Sequence, residues 1–300
     1  MRRPVALLSL VALLFSLASC SPGNAPDSTA TAAPPTRVAV LFSSLAEAWQ
    51  EAGGTVAITV GESVERGLVP AETPLVDGGA GKSIDTERLL ALAPDLVIAS
   101  SDIPAQVKAA DTCRAAGIPT LLLRLETFSD YSAAITTFTD LTGNSEALIS
   151  HEALTAEVTS LLASSKADAT CEKRILFIRA GSTAASTKAK RAGDHFAAAM
   201  LNELGCHNIA DSAPLLVDTL SVEAILTADP DHIFFSLMGS EDGARANVEA
   251  LLARPEWQSL SAVREGHVTI LSRDLFHYKP NRRWPEAYRT LLSALQGATP

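Results

Sequence analysis

The stretch Glu87-Arg88-Leu89-Leu90-Ala91-Leu92-Ala93-Pro94-Asp95-Leu96-Val97-Ile98 returns as Glu223-Ala224-Ile225-Leu226-Thr227-Ala228-Asp229-Pro230-Asp231-His232-Ile233-Phe234, without a gap, 136 residues later. In both copies an acidic residue opens a short apolar-periodic helix, and a Pro-Asp pair stops it. An apolar run follows that reads as a buried strand. A period of this length is too long for a solenoid unit. It fits two similar halves, each with its own sheet. Two halves on one chain imply a cleft between them, and clefts hold ligands.

Working outward from the first copy, residues 37–41, 56–60, 96–99 and 121–125 read as strands, with helices at 45–52, in the repeat itself and at 107–116. Around the second copy, strands are predicted at 175–178, 232–235 and 268–271, and helices at 194–204, 245–252 and 284–295. This β-α alternation predicts an α/β fold of two Rossmann-like lobes with parallel sheets covered by helices. Residues 145–166 contain no Gly or Pro and carry an apolar stripe at Leu148, Leu154, Val158, Leu161 and Leu162. They read as one helix, roughly 30 Å long. A single rigid connection allows only small hinge motion. The expected organisation is a leader at 1–19, a tether at 20–36, a first α/β lobe at 37–143, a bridging helix at 144–168 and a second α/β lobe at 169–300.

The chain has 300 residues, enough for about two domains, and 47% of them are hydrophobic, enough for packed cores. Its formal charge of −10 argues against a nucleic-acid partner. Arg2 and Arg3 precede an apolar run over 5–17 that is short for a membrane span, and Leu17-Ala18-Ser19-Cys20 follows. This resembles the bacterial lipoprotein signal, in which Cys20 becomes the lipidated first residue; an ordinary secretory leader is the alternative. Residues 21–36 are rich in Ser, Thr, Ala and Pro and read as a tether. The protein is then expected on the outer face of the cell membrane, held by its lipid. Of the other cysteines, Cys171 just precedes a predicted strand and Cys206 follows the helix that returns along it. A Cys171–Cys206 disulfide is expected, with buried thiols as the alternative.

With these residues in view, the chain resembles the substrate-binding proteins of ABC importers for ferric siderophores, haem and cobalamin. The resemblance runs from Arg37 to Leu295. It rests on the repeated phrase, on Gly205-Cys206-His207-Asn208-Ile209, on Pro255-Glu256-Trp257 and on Ala262-Val263-Arg264-Glu265-Gly266-His267-Val268. It implies that Glu87 and Glu223 dock into arginine pockets of a permease dimer. A carboxylate in a first helical turn stays charged beside the helix dipole, which suits that role; completing the helix N-terminus is the alternative. The partners expected are the permease dimer, a small-molecule iron chelate and the membrane through the lipid, with the chain a monomer and no resident cofactor, metal site or catalytic group.

Ligand contacts should come from loops after strand C-termini. Those loops carry Ser43, Arg66 and Lys82 in the first lobe, and Lys188, Lys190, Arg191, Met238, His277, Tyr278, Lys279, Arg282 and Arg283 in the second. The clustered cations predict an anionic cargo, such as the iron chelate of a carboxylate siderophore. His277 and Tyr278 could instead ligate haem iron. The chain's three Trp and three Tyr are few for the aromatic walls that the resemblance implies for cobalamin.

Enzyme readings fare worse. Asp77-Gly78-Gly79-Ala80-Gly81-Lys82-Ser83 lacks the first glycine of a phosphate loop, with Val76 in its place. Gly181-Ser182-Thr183 lacks the second glycine of a hydrolase elbow. An exported α/β hydrolase is the rival from another class.

Overall fold

The repeated phrase builds the same joint twice. In the computed structural model, Asp95 accepts hydrogen bonds from the backbone N–H groups of Thr36 (2.7 Å) and Arg37 (2.9 Å), and Arg37 Nε donates to the carbonyl of Leu92 (2.7 Å). In the second copy Asp231 accepts from the N–H of Arg174 (2.7 Å), and the Arg174 guanidinium donates to the carbonyls of Ala228 (2.7 Å) and Asp229 (3.1 Å). Each Asp satisfies the start of a neighbouring strand, and each Arg satisfies carbonyls left open at the repeat helix's C-terminus. The residue before each proline, Ala93 or Asp229, turns left-handed with φ of 47° and 39°. Asp229 is held there by the N–H of Ser261 (2.9 Å) and its hydroxyl (2.7 Å).

The structure describes residues 33–78, 83–167 and 172–297. The predicted leader, Cys20, most of the tether, Lys82 and Cys171 lie outside them. The first half runs β1 (Val38–Val40), α1 (Ser43–Glu51), β2 (Val56–Ile58), α2 (Gly61–Glu65), α3 (Thr86–Ala91), β3 (Leu96–Ser100), α4 (Pro104–Ala115), β4 (Thr120–Leu123) and α5 (Phe128–Thr142). Helix α6 (Ser145–Ala167) follows. The second half runs β5 (Arg174–Ala180), β6 (Lys188–Ala189), α7 (Phe196–Glu203), β7 (His207–Asn208), α8 (Pro214–Thr219), α9 (Val222–Ala228), β8 (His232–Leu237), α10 (Glu241–Leu252), α11 (Pro255–Gln258), α12 (Ser261–Arg264), β9 (Val268–Leu271), α13 (Arg273–Phe276) and α14 (Trp284–Leu295).

The strands form two separate sheets, ordered β2-β1-β3-β4 and β6-β5-β8-β9, with β7 also on β5. The two repeat strands, β3 and β8, take equivalent places beside β1 and β5. All pairings in the first sheet are parallel. The second departs from the expected parallel sheet: β6 runs antiparallel to β5, pairing Ala189 with Ile178 and Lys188 with Arg179. Helix α5 was not foreseen. A Thr127–Asp130 capping box starts it, Gly143 in the left-handed region ends it, and it buries Tyr131, Ala134, Ile135 and Phe138 at helical spacing.

Helix α6 is 23 residues long. It buries His151, Val158 and Ser165 at seven-residue spacing, with Leu154, Leu161 and Leu162 packed beside them. This narrow stripe lies against α5 of the first half and α14 of the second. The described residues from Pro34 onward form one compact unit. A single hydrophobic cluster runs from Val38, Trp49 and Phe138 through to Phe196, Trp284 and Tyr288, so the halves share a core as well as a connecting helix.

Candidate functional site

The strand ends of both sheets open on a cavity of about 720 Å³ between the halves. The first half lines it with Phe42, Ser44, Glu62, Asp102, Ile103 and Glu126. The second contributes Arg179, Asp194, His195, Phe196, Met238 and the 277–279 segment. Fold topology explains the placement, because ligands of parallel α/β sheets bind beyond the carboxyl ends of the strands.

Arg179 is the next-to-last residue of the buried strand β5 and is half-buried. Its guanidinium makes no hydrogen bond or ion pair among the described residues. Lys279 crosses the cleft to Glu126 at 2.6 Å, with their side chains 12% and 28% exposed, and its ammonium lies 4.9 Å from the Phe196 ring centroid. His195 stacks on Phe196 and lies tilted against Phe177, and its Nδ1 accepts from the N–H of Ala197 (3.1 Å). Burial, then the nearby charges of Lys279 and Arg179, holds its pKa well below the usual histidine range. His277 is lowered by burial and by Arg273. Both imidazoles are therefore neutral at pH 7, leaving Arg179 and Lys279 as the lining cations.

Met238, His277, Tyr278 and Lys279, all expected as ligand contacts, line this cavity. Arg66 reaches over from the first half to cover the Tyr278 ring at 4.3 Å, while bonded to Glu47 (2.5 Å) and to Ser43 (3.1 Å). Ser43 is fully buried and donates to Glu62 at 2.5 Å, so it braces a wall residue rather than facing the cavity. The expected basic loops disperse. Lys188 belongs to β6, and the Lys190 N–H is bonded to the carbonyl of Phe177 (2.9 Å). Arg191 pairs with Asp194 at 2.8 Å. Arg283 is taken by Asp274 (2.8 Å) and Glu286 (2.7 Å). Of the six cations in those loops, Lys279 alone lines the cavity. Arg179, absent from the sequence-based set, does too. Its signal was a charge at the end of an otherwise apolar strand.

Arg282 lies elsewhere, on a second cavity of about 330 Å³ lined also by Glu51, Tyr131 and His151. Its backbone N–H meets Glu51 at 3.4 Å, and Tyr131 donates to the same carboxyl at 2.7 Å. Burial, aided by the charge of Glu47, raises Glu51 to about 7. The unfolded chain loses this proton near 4.5 while the folded one keeps it, so stability falls as pH rises from there to about 7. The loss amounts to about 2–3 kcal/mol. Glu51→Gln is expected to flatten this slope and to be the more stable protein above pH 7, as read by denaturant melts across that window.

Glu87 and Glu223 sit in the first turns of α3 and α9, both exposed. Asp85 and Ser221 cap those helices, accepting from the N–H groups of Arg88 (2.9 Å) and Ala224 (3.3 Å). Neither Glu side chain has a hydrogen bond or ion pair among the described residues.

Residues 38–275 match the family model described as periplasmic binding protein. The chain belongs to that family. Its members are binding proteins rather than enzymes, and they work outside the cytoplasm. Among the described residues of this periplasmic binding protein, no helix is long and apolar enough to cross a membrane. No curated protein matches the chain. Solved structures do. An ABC transporter substrate-binding protein from Listeria monocytogenes EGD-e is 16% identical with a TM-score of 0.68, covering 88% of this chain and 99% of that one. The periplasmic heme-binding protein RhuT from Roseiflexus sp. RS-1 is 18% identical with a TM-score of 0.66, covering 87% and 98%. Staphylococcus aureus SirA, solved with staphyloferrin B, is 18% identical with a TM-score of 0.64, covering 89% and 93%. At these identities the likeness establishes the two-lobed fold.

Proposed function

We propose that this chain is the solute-binding component of an ABC importer, lipid-anchored at Cys20, which captures an iron chelate of the siderophore type between its lobes and presents it to a permease through Glu87 and Glu223. The observation that carries the cargo reading is the cavity of about 720 Å³ at the strand ends, with the uncommitted Arg179 in its wall. A guanidinium left half-buried without a partner is costly unless something anionic arrives to meet it. Iron-bound oxygens of a chelate supply that charge. The solved relatives point the same way, since SirA was crystallised with staphyloferrin B. Native mass spectrometry of protein purified from its own host tests this. An iron chelate is expected in the spectrum of the complex; an iron-free solute would count against it.

Haem is the second reading. It is favoured by Met238, His277 and Tyr278 standing on one wall of the cavity, and by the likeness to the heme-binding protein RhuT. A Soret band in the same preparation would select it.

The Cys171–Cys206 disulfide belongs to this exported setting. Cys206 is buried, and the N–H of the next residue, His207, bonds to the carbonyl of Lys173 (2.9 Å), two residues after Cys171. Intact-mass measurement of unreduced protein is expected to give the mass of one bridge, which disappears in Cys206→Ala.

A further inference from the structure

We infer that the cargo is a neutral-to-cationic chelate rather than an anionic one, with its iron-bound oxygens toward Arg179 and a cationic group toward the first lobe's carboxylates. This rests on the iron-chelate reading above and specifies its charge. Four carboxylates line the interlobe cavity (Glu62, Asp102, Glu126 and Asp194) against two lining cations, Arg179 and Lys279. The charges are also divided between the walls. Among the described residues, the first lobe contributes Glu62, Asp102 and Glu126 and no cation; Arg179 and Lys279 both come from the second. Three of these charges are already spent, since Lys279 is paired with Glu126 across the cleft and Asp194 with Arg191. Among the described residues, Glu62 accepts only the neutral Ser43 hydroxyl, and the exposed Asp102 carboxylate has no hydrogen bond or ion pair. What is left open to a guest is one guanidinium on one wall and two carboxylates on the other. A polycarboxylate chelate would meet Asp102 and Glu62 with like charge and could satisfy only Arg179. A chelate with anionic oxygens at its iron and an ammonium on its arm matches both walls at once.

The test offers the full protein three probes together and reads the complexes by native mass spectrometry, with affinities from intrinsic fluorescence quenching. The probes are ferrioxamine B, a ferric trihydroxamate with a free ammonium; its N-acetylated form, which lacks that charge; and ferric citrate. The ammonium-bearing complex is expected to bind about fivefold tighter than the acetylated one. Asp102→Asn should erase most of that difference. Arg179→Gln should weaken both hydroxamates alike. Preference for ferric citrate, equal binding of the two hydroxamates, or no effect of Asp102→Asn would overturn the inference. Binding of none of the three would instead remove the iron-chelate reading, and the inference with it.

Discussion

Replacing Glu87 and Glu223 together by lysine is expected to abolish cargo uptake by whole cells while leaving the purified protein's affinity for its cargo unchanged. The two carboxylates are exposed, and Asp85 and Ser221 already do the helix capping that would give them a local purpose. The helices therefore keep their start signals in the double variant. If each carboxylate meets a guanidinium of the permease, reversal places like charges in contact at two points. Such contacts cost several kcal/mol, which corresponds to roughly a thousandfold loss of docking. Each single reversal should show an intermediate defect, because the repeat places one contact on each lobe. Uptake at the parent's rate in the double variant would end the docking role.

Trp284→Ala carries the largest expected loss of stability, about 3–5 kcal/mol. Trp284 is fully buried at the start of α14. Its ring meets Phe128 of the first lobe edge-on at 6.0 Å and Phe196 of the second at 6.1 Å. Truncation leaves a void in the one cluster that both lobes share, so the lobes should loosen together in a single transition. Trp284→Phe separates packing from polarity. The buried Nε1 of Trp284 finds no acceptor among the described residues, so phenylalanine removes an unsatisfied donor along with part of the ring. Its cost is expected to be well under half that of alanine. Two resolved transitions in the alanine variant, or equal losses in both, would contradict the shared-core description.

The fold was legible because the repeat encodes backbone chemistry. Pro-Asp stops a helix and staples the start of the neighbouring strand in both copies. Helix α6 was legible from its length without breakers. Helix α5 was missed although Tyr131, Ile135 and Phe138 carry the helical period, because its many Ser and Thr residues lower helix propensity and mask the stripe. Strand β6 was missed because a two-residue edge strand has no periodicity of its own.

The candidate site was less legible, for a physical reason. Composition gives the charges on a loop but not their neighbours. Lys188, Lys190, Arg191, Arg282 and Arg283 looked like an anion trap, yet Asp194, Asp274 and Glu286 claim Arg191 and Arg283, and Arg282 lies on another cavity. The carboxylates that do line the cavity from the first lobe, Glu62, Asp102 and Glu126, come from loops distant in sequence. Arg179 shows the opposite case. One charge closing an apolar strand is a small compositional signal, but its placement at a strand's C-terminal end is topologically informative.

The most direct measurement is a crystal structure of the protein loaded with cargo in its own host. Density for the cargo is predicted between the lobes, against Arg179 and Tyr278, with the Asp102 carboxylate on the opposite wall. Cargo density in the cavity beside Glu51 and His151, or anywhere that leaves Arg179 without a partner, would contradict the account.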